Sequence, residues 1–309
     1  MKNNMILKAA VLGALGLVSA QAMATGLVNL PSTGFAVGSD TSPYTLCNTT
    51  SNFGSGDATY PTTLANNTCA VFPANVNTAP EASFTLVTSV ARNIVLNDAT
   101  YTNGTNVTVG SVVDRIWRKS STNECIYGAQ ITLTNTDYDL NTAGSQYLEV
   151  NDFVRAGFSG RTVNAGYFVN NSNQEDVVSR MGRTNVSVQH RADASDATGQ
   201  TPASGYVAQP LTTPTPASTP INGVNAWPGS APSASQQSAA LDGNYVDFTI
   251  DANYLDDDRS KTPSSPYTYV KTSCSSSTHT ATAGALTFRQ TGQEQAPWIS
   301  FSISGFVPN

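Results

Sequence analysis

Apolar and polar positions alternate along most of the chain from Phe84 onward, the two-residue period of half-buried strands rather than the longer period of helices. The clearest case lies near the C-terminus, where Ile299, Phe301 and Ile303 alternate with Ser300, Ser302 and Ser304. Val246, Phe248, Ile250 and Ala252 alternate with Tyr245, Asp247, Thr249 and Asp251, which predicts an apolar face turned inward and a polar face turned to solvent. Between Asn106 and Arg118 the phase slips at Gly110-Ser111, from Val107 and Val109 to Val113 and Trp117 opposed to Val112 and Ile116. A slip at glycine within a strand predicts a bulge. Lys119 to Asn123 is then a polar turn, and Cys125 to Leu133 returns as a strand, completing a hairpin. Phe84, Leu86, Val90, Ile94 and Leu96 share one parity and predict one or two further strands. Tyr147 to Phe158 and Thr162 to Val169 predict a strand pair about Ser159-Gly160, and Val177 to Val188 a strand or short helix. Tyr267 to Thr272 and Ala285 to Phe288 predict short strands. No segment carries helical periodicity with caps, so the pattern defines an all-β chain, an antiparallel β-sandwich with long loops.

Two stretches interrupt this pattern. Residues 25–80 are rich in Gly, Ser, Thr, Asn and Pro and predict loops with short strands. Residues 192–240 are rich in Pro, Ser and Thr and nearly devoid of aliphatics, so they predict a linker or long excursion from the sandwich domain of residues 81–309. The first 24 residues have the form of a secretory signal: Lys2 and Lys8, an apolar run from Ala9 to Ala20, and Ala22-Met23-Ala24 before a cleavage point at Thr25. The run is too short for a membrane span, which needs about twenty apolar residues, and no later stretch approaches that length.

An exported chain with an even number of cysteines predicts disulfides. Cys47–Cys69 would close the polar N-terminal loop, and Cys125–Cys274 would then join strands on either side of the Pro-rich segment. A zinc site is disfavoured by the absence of any CxxC pair.

Charge narrows the function classes. Only 12% of residues are charged. Loss of Lys2 and Lys8 with the signal leaves 13 basic and 21 acidic residues, a net charge of −8. Such a surface argues against nucleic-acid binding, whose phosphates need a basic face.

Candidate chemistry is sparse. No GxSxG elbow or phosphate-cradling glycine motif occurs. His190 and His279 lie in polar surroundings and read as exposed loop residues. Asp247 and Asp251 share a strand face but stand about 13 Å apart, too far to form a glycosidase carboxylate pair alone. No catalytic residue is assigned. Asn135, Asp137, Asp139 and Asn141, followed by Gly144 and Glu149, place oxygen ligands at alternate positions and make a candidate calcium loop, imperfect beside an EF-hand. Asp256, Asp257 and Asp258, close after Asp251, make a second candidate. In both, the competing reading is a polar turn capped by its own side chains. Trp117 and Trp298 sit in strand patterns and read as core, whereas Trp227 precedes Pro228 in the Pro-rich segment and offers a contact point.

Export, disulfides, low charge and the lack of a catalytic set together predict a secreted, non-enzymatic bacterial protein of the cell surface or extracellular matrix, with the periplasm as the other compartment. It would act by binding a glycan or by self-association, with Ca²⁺ as its one candidate cofactor. The alternatives are a carbohydrate-binding module and an Asp/Glu-dependent glycoside hydrolase.

Overall fold

The computed structural model describes residues 26–37, 40–46, 69–168, 180–185, 241–255, 259, 261–290 and 299–309. Outside them lie the signal segment, Cys47, His190, the Pro-rich stretch, Trp227, Trp298 and Asp256 to Asp258.

The described residues form fourteen strands: β1 (Val28–Asn29), β2 (Phe35–Val37), β3 (Asp40–Ser42), β4 (Tyr44–Leu46), β5 (Thr85–Leu96), β6 (Val107–Lys119), β7 (Glu124–Leu133), β8 (Glu149–Ala156), β9 (Asn164–Phe168), β10 (Arg180–Gly182), β11 (Tyr245–Asn253), β12 (Tyr267–Ser273), β13 (Ala281–Gln290) and β14 (Ile299–Phe306). Two antiparallel six-stranded sheets result. Sheet I has the order β1-β9-β12-β7-β6-β5, sheet II the order β14-β13-β8-β11-β10-β4, and β2 and β3 pair as a small ribbon. This is a sandwich-like all-β fold, as the alternation predicted.

The main core lies between the sheets. Val112, Ile116, Tyr127 and Ile131 from sheet I meet Phe153, Phe248 and Phe288 from sheet II in one buried cluster. A second cluster covers the outer face of sheet I, where Trp117, Ile126, Phe168, Tyr267 and Tyr269 pack under Val71, Val76, Ala79 and Phe84. Trp117 ties this cover down by donating its indole N–H to the Asn77 carbonyl at 3.1 Å. Sheet I is therefore apolar on both faces, and β6 satisfies both by alternation.

Several local predictions hold. The hairpin pairs β6 with β7 from Gly110–Leu133 to Lys119–Glu124. The expected bulge is present: Ile94 faces Gly110 while Val95 faces Thr108, so Val109 is the extra residue. Gly110 also lets the Thr132 carbonyl approach, since a Cβ there would stand 2.6 Å from that oxygen. The Cys125–Cys274 disulfide is formed between residues 149 apart in sequence, beside the β7–β12 register that places Thr272 opposite Cys125. The last strand pairs with β13 of its own chain.

Other expectations are corrected. β8 and β9 do not pair with each other; they belong to opposite sheets, and Gly157 to Val163 is a crossing between layers rather than a hairpin turn. The shared parity of Phe84 to Leu96 is broken by a second register shift between Leu86 and Thr88. Phe84 consequently packs in the outer cluster and Leu86 is 40% exposed, while Val87 and Val90 reach the main core. The polar face of β11 is not solvated: Asp247, Thr249 and Asp251 are all buried.

Candidate functional site

The crossing from β8 to β9 shapes the open surface of the protein. Gly157 has φ 105°, in the region glycine favours, and a Cβ on it would come within 2.8 Å of Val307. Arg183, fully buried after β10, holds the crossing by donating to the carbonyls of Phe158 at 3.0 Å and Arg161 at 3.2 Å. The same guanidinium reaches Leu30 at 3.3 Å and also bonds Gly243, so one side chain fixes three chain segments.

On this support Arg161 projects between two hollows. The larger is an open cleft of about 550 Å³ over one end of sheet I; Glu124, Asn164, Lys271 and Ser273 line it with Arg161. The smaller, about 300 Å³, lies on the other side of Arg161 against Leu30 to Thr33. Arg161 donates to the Ser273 carbonyl at 2.8 Å and to the Asn309 carbonyl at 3.1 Å. Lys271 is held by both oxygens of Glu81 at 2.8 and 2.7 Å, and Thr122 donates to Glu124 at 2.6 Å. The cleft thus offers fixed cations, hydroxyls, an amide and one carboxylate, with no aromatic platform among these lining residues.

The carboxylates inside the fold are committed to structure. Asp114 of β6 accepts from Arg155 of β8 at 2.8 Å, from Arg92 of β5 at 3.2 Å and from the Phe306 backbone N–H at 2.8 Å. On the outward face of sheet II, Arg289 pairs with Asp152 at 2.6 Å and with Asp247 at 3.7 Å, and donates to the Asn185 carbonyl at 2.8 Å. Tyr44 donates to Asp247 at 3.1 Å. Burial, and then the adjacent Asp152 carboxylate, push the Asp247 carboxyl far above the usual carboxylate range. A side-chain hydrogen bond with Asp152 raises it further. Arg289 and Tyr44 engage one oxygen of each carboxylate, Oδ2, which makes the pair a structural knot rather than an open acid–base couple.

The described residues of the candidate calcium loops, Asn135 apart, take part in local hydrogen bonds or are buried in strands. Asp137 accepts the backbone N–H groups of Asp139 and Gln146, each at 3.1 Å. Asp139 accepts from the Asn141 N–H at 3.0 Å, and its hydrogen bond with Thr142 lowers its pKa. Asn141 donates its side-chain amide to the Thr100 carbonyl at 2.5 Å. Asn135 is exposed in the same loop. Glu149 is buried in β8, where it accepts from Asn151, and Asp251 is buried in β11. Among the described residues, no group of three or more His, Cys, Asp or Glu is placed to hold a metal ion. Asp256, Asp257 and Asp258 lie outside them.

His279 is half-buried rather than a free loop residue. Its ring packs edge-on to Tyr127 at 5.7 Å and stands 3.8 Å from Cys125 Sγ. Burial lowers its pKa. Cys69 is buried and disulfide-bonded; Cys47, its expected partner, lies outside the described residues. No helix among the described residues is long and apolar enough to cross a membrane.

Arg161, Lys271 and Arg183 were not singled out by sequence. The available signal was their rarity: in a chain with only 15 Lys and Arg, a cation flanked by Ser159-Gly160 or set inside a Tyr/Val/Thr strand stands out.

No family model matches the chain, no curated protein matches it, and no solved structure matches it.

Proposed function

We propose that this chain is an exported bacterial surface or matrix protein that acts by binding, without turnover, and that the cleft at Arg161 is its contact surface. One observation carries the reading. The buried carboxylates are tied into ion pairs and hydrogen bonds with fixed partners, whereas the open cleft presents oriented donors on a rigid sheet. Groups fixed on a rigid scaffold suit recognition, because little ordering entropy is lost on contact. The signal-like N-terminus and the buried disulfide support export, since such bonds persist in oxidising compartments.

A carbohydrate ligand is the second reading, and the cleft lining favours it. Thr122, Asn164, Thr272 and Ser273 with Arg161 and Glu124 supply the donors and acceptors that a hydroxyl-rich ligand needs. The test of export and placement is fractionation of the producing cells with protease shaving of intact cells. Recovery of a shaved, disulfide-bonded chain at the surface or in the matrix supports the proposal. Retention of the full-length chain in the cytoplasm overturns it.

A further inference from the structure

We infer that the free edge of β14 is a dimerisation surface, on which a second copy of this chain pairs its own β14 antiparallel about Ser302. The pairing does not depend on the reading of the Arg161 cleft.

The outermost strands of the two sheets differ in how their edges are defended. Sheet I ends in β1 and β5, sheet II in β4 and β14. β1 and β4 have two and three residues, too short to template a partner. β5 carries Val87 as the extra residue at its register shift and turns Arg92 over the Phe306 ring at 4.6 Å. β14 has eight residues, Ile299–Phe306, with no charge and no proline. The irregularity in its pairing adds the extra residues to β13. Short length, bulges, charges and prolines are the devices that keep edges from pairing with other chains, and β14 has none of them.

The backbone direction of β14 is fixed at one end. Phe306 donates its N–H to Asp114 at 2.8 Å, and its carbonyl accepts from Arg155 at 2.9 Å, so both groups turn away from β13. Successive residues of a strand point these groups to opposite sides. Ser304, Ser302 and Ser300 therefore also turn theirs away from β13, toward the open edge. All three serines are exposed. Among the described residues no strand lies beyond them and no loop hydrogen bond reaches them.

The strand is complementary to itself. With a twofold axis at Ser302, Ser302 faces its own copy, Ser300 faces Ser304, Phe301 faces Ile303 and Ile299 faces Gly305. The serine positions become the hydrogen-bonded pairs, so every open N–H and C=O of Ser300, Ser302 and Ser304 finds a partner. Phe301 and Ile303, half-buried against the main core, would cover each other's exposed sides. The Phe288 ring already holds Phe301, 5.7 Å away. Nothing in the strand sets like charges together, which matters for two copies of a chain with net charge −6. A pair about a twofold axis is closed, so it ends at the dimer.

The test is sedimentation velocity and light scattering of the full oxidised chain from about 1 μM to about 0.5 mM, since a single strand pair is a small interface. The expected result is a monomer that passes to a dimer as concentration rises. Ser302→Pro removes an N–H that β13 does not use, so it should stay monomeric with an unchanged urea midpoint. Ser302→Lys and Ser302→Glu each set like charges face to face and should weaken dimerisation about fivefold or more, and a 1:1 mixture of the two should restore it. A monomer at every concentration overturns the pairing, as does a dimer unaffected by these variants or a mixture no tighter than its components. Growth beyond the dimer also overturns it. Should Ser302→Pro fail to fold, the Lys and Glu variants decide alone, because the Ser302 side chain is exposed.

Discussion

Asp114 and Arg155 join the two sheets through the middle of the sandwich, 2.8 Å apart and both buried. Asp114 shares the inward parity of Val112 and Ile116, and Arg155 that of Phe153, so each enters the core from its own layer. Arg155 also donates to the Phe306 carbonyl at 2.9 Å, while Asp114 accepts the Phe306 N–H. One pair thus fixes the end of β14 as well as the distance between the layers. Asp114→Ala leaves Arg155 as an uncompensated buried charge and should cost about 3–5 kcal/mol. Urea unfolding measures this; a loss below about 1 kcal/mol would show that the pair does not bridge the layers.

The Cys125–Cys274 bond should be the strongest single constraint on the unfolded chain. Its 149-residue separation corresponds to about 5 kcal/mol on the chain-entropy description. The Cys125→Ser, Cys274→Ser double variant should show a guanidinium midpoint lowered to match, without loss of its strand circular-dichroism signal in dilute buffer.

Stability should fall as pH rises because of Asp247. An unfolded aspartate titrates near pH ~3.9, and the folded group titrates well above that. Between those values the native state keeps a proton that the unfolded chain releases, so this contribution is full below the unfolded value and disappears as pH rises through the folded one. His279 has the opposite sign: its folded pKa is lowered, so its contribution is present above the unfolded value, ~6.5, and fades as pH falls. Urea midpoints of wild type and Asp247→Asn across pH separate the two. The wild type should lose stability relative to the variant as pH rises; parallel curves would count against the raised Asp247 pKa.

Gly128→Ala should disturb the outer face of sheet I. The added methyl would stand 2.6 Å from Trp117 and 3.2 Å from Tyr269, and overpacking of this kind costs roughly 1–3 kcal/mol. The variant should combine a lowered denaturation midpoint with a shifted tryptophan emission maximum, the latter reporting movement of a ring that is 1% exposed in the native fold.

The legible part of this fold was local. Period-two alternation located β6, β7, β11 and β14, and the phase slip at Gly110-Ser111 marked a true bulge, because inward and outward parity is a property of single strands. Sheet membership was not legible, since the same strand–Gly–strand pattern around Ser159-Gly160 serves a hairpin or a crossing between layers. Nor was the burial of Asp247: an aspartate alternating with Val246 and Phe248 faces away from the core, and only the tertiary arrangement of Tyr44, Asp152 and Arg289 closes over it. The candidate cleft was hidden for the same reason, as Arg161 and Lys271 are 110 residues apart and meet only through the β9–β12 pairing.

The central claim, binding without turnover at the Arg161 cleft, is tested most directly by one paired assay. The oxidised protein is passed over a panel of immobilised envelope and matrix polysaccharides while reducing ends released from each are measured. The account predicts retention on at least one polymer with no release above background, and retention lost in Arg161→Ala, Lys271→Ala protein that still unfolds cooperatively. Release of reducing ends, or retention unchanged in the cleft variant, would contradict it.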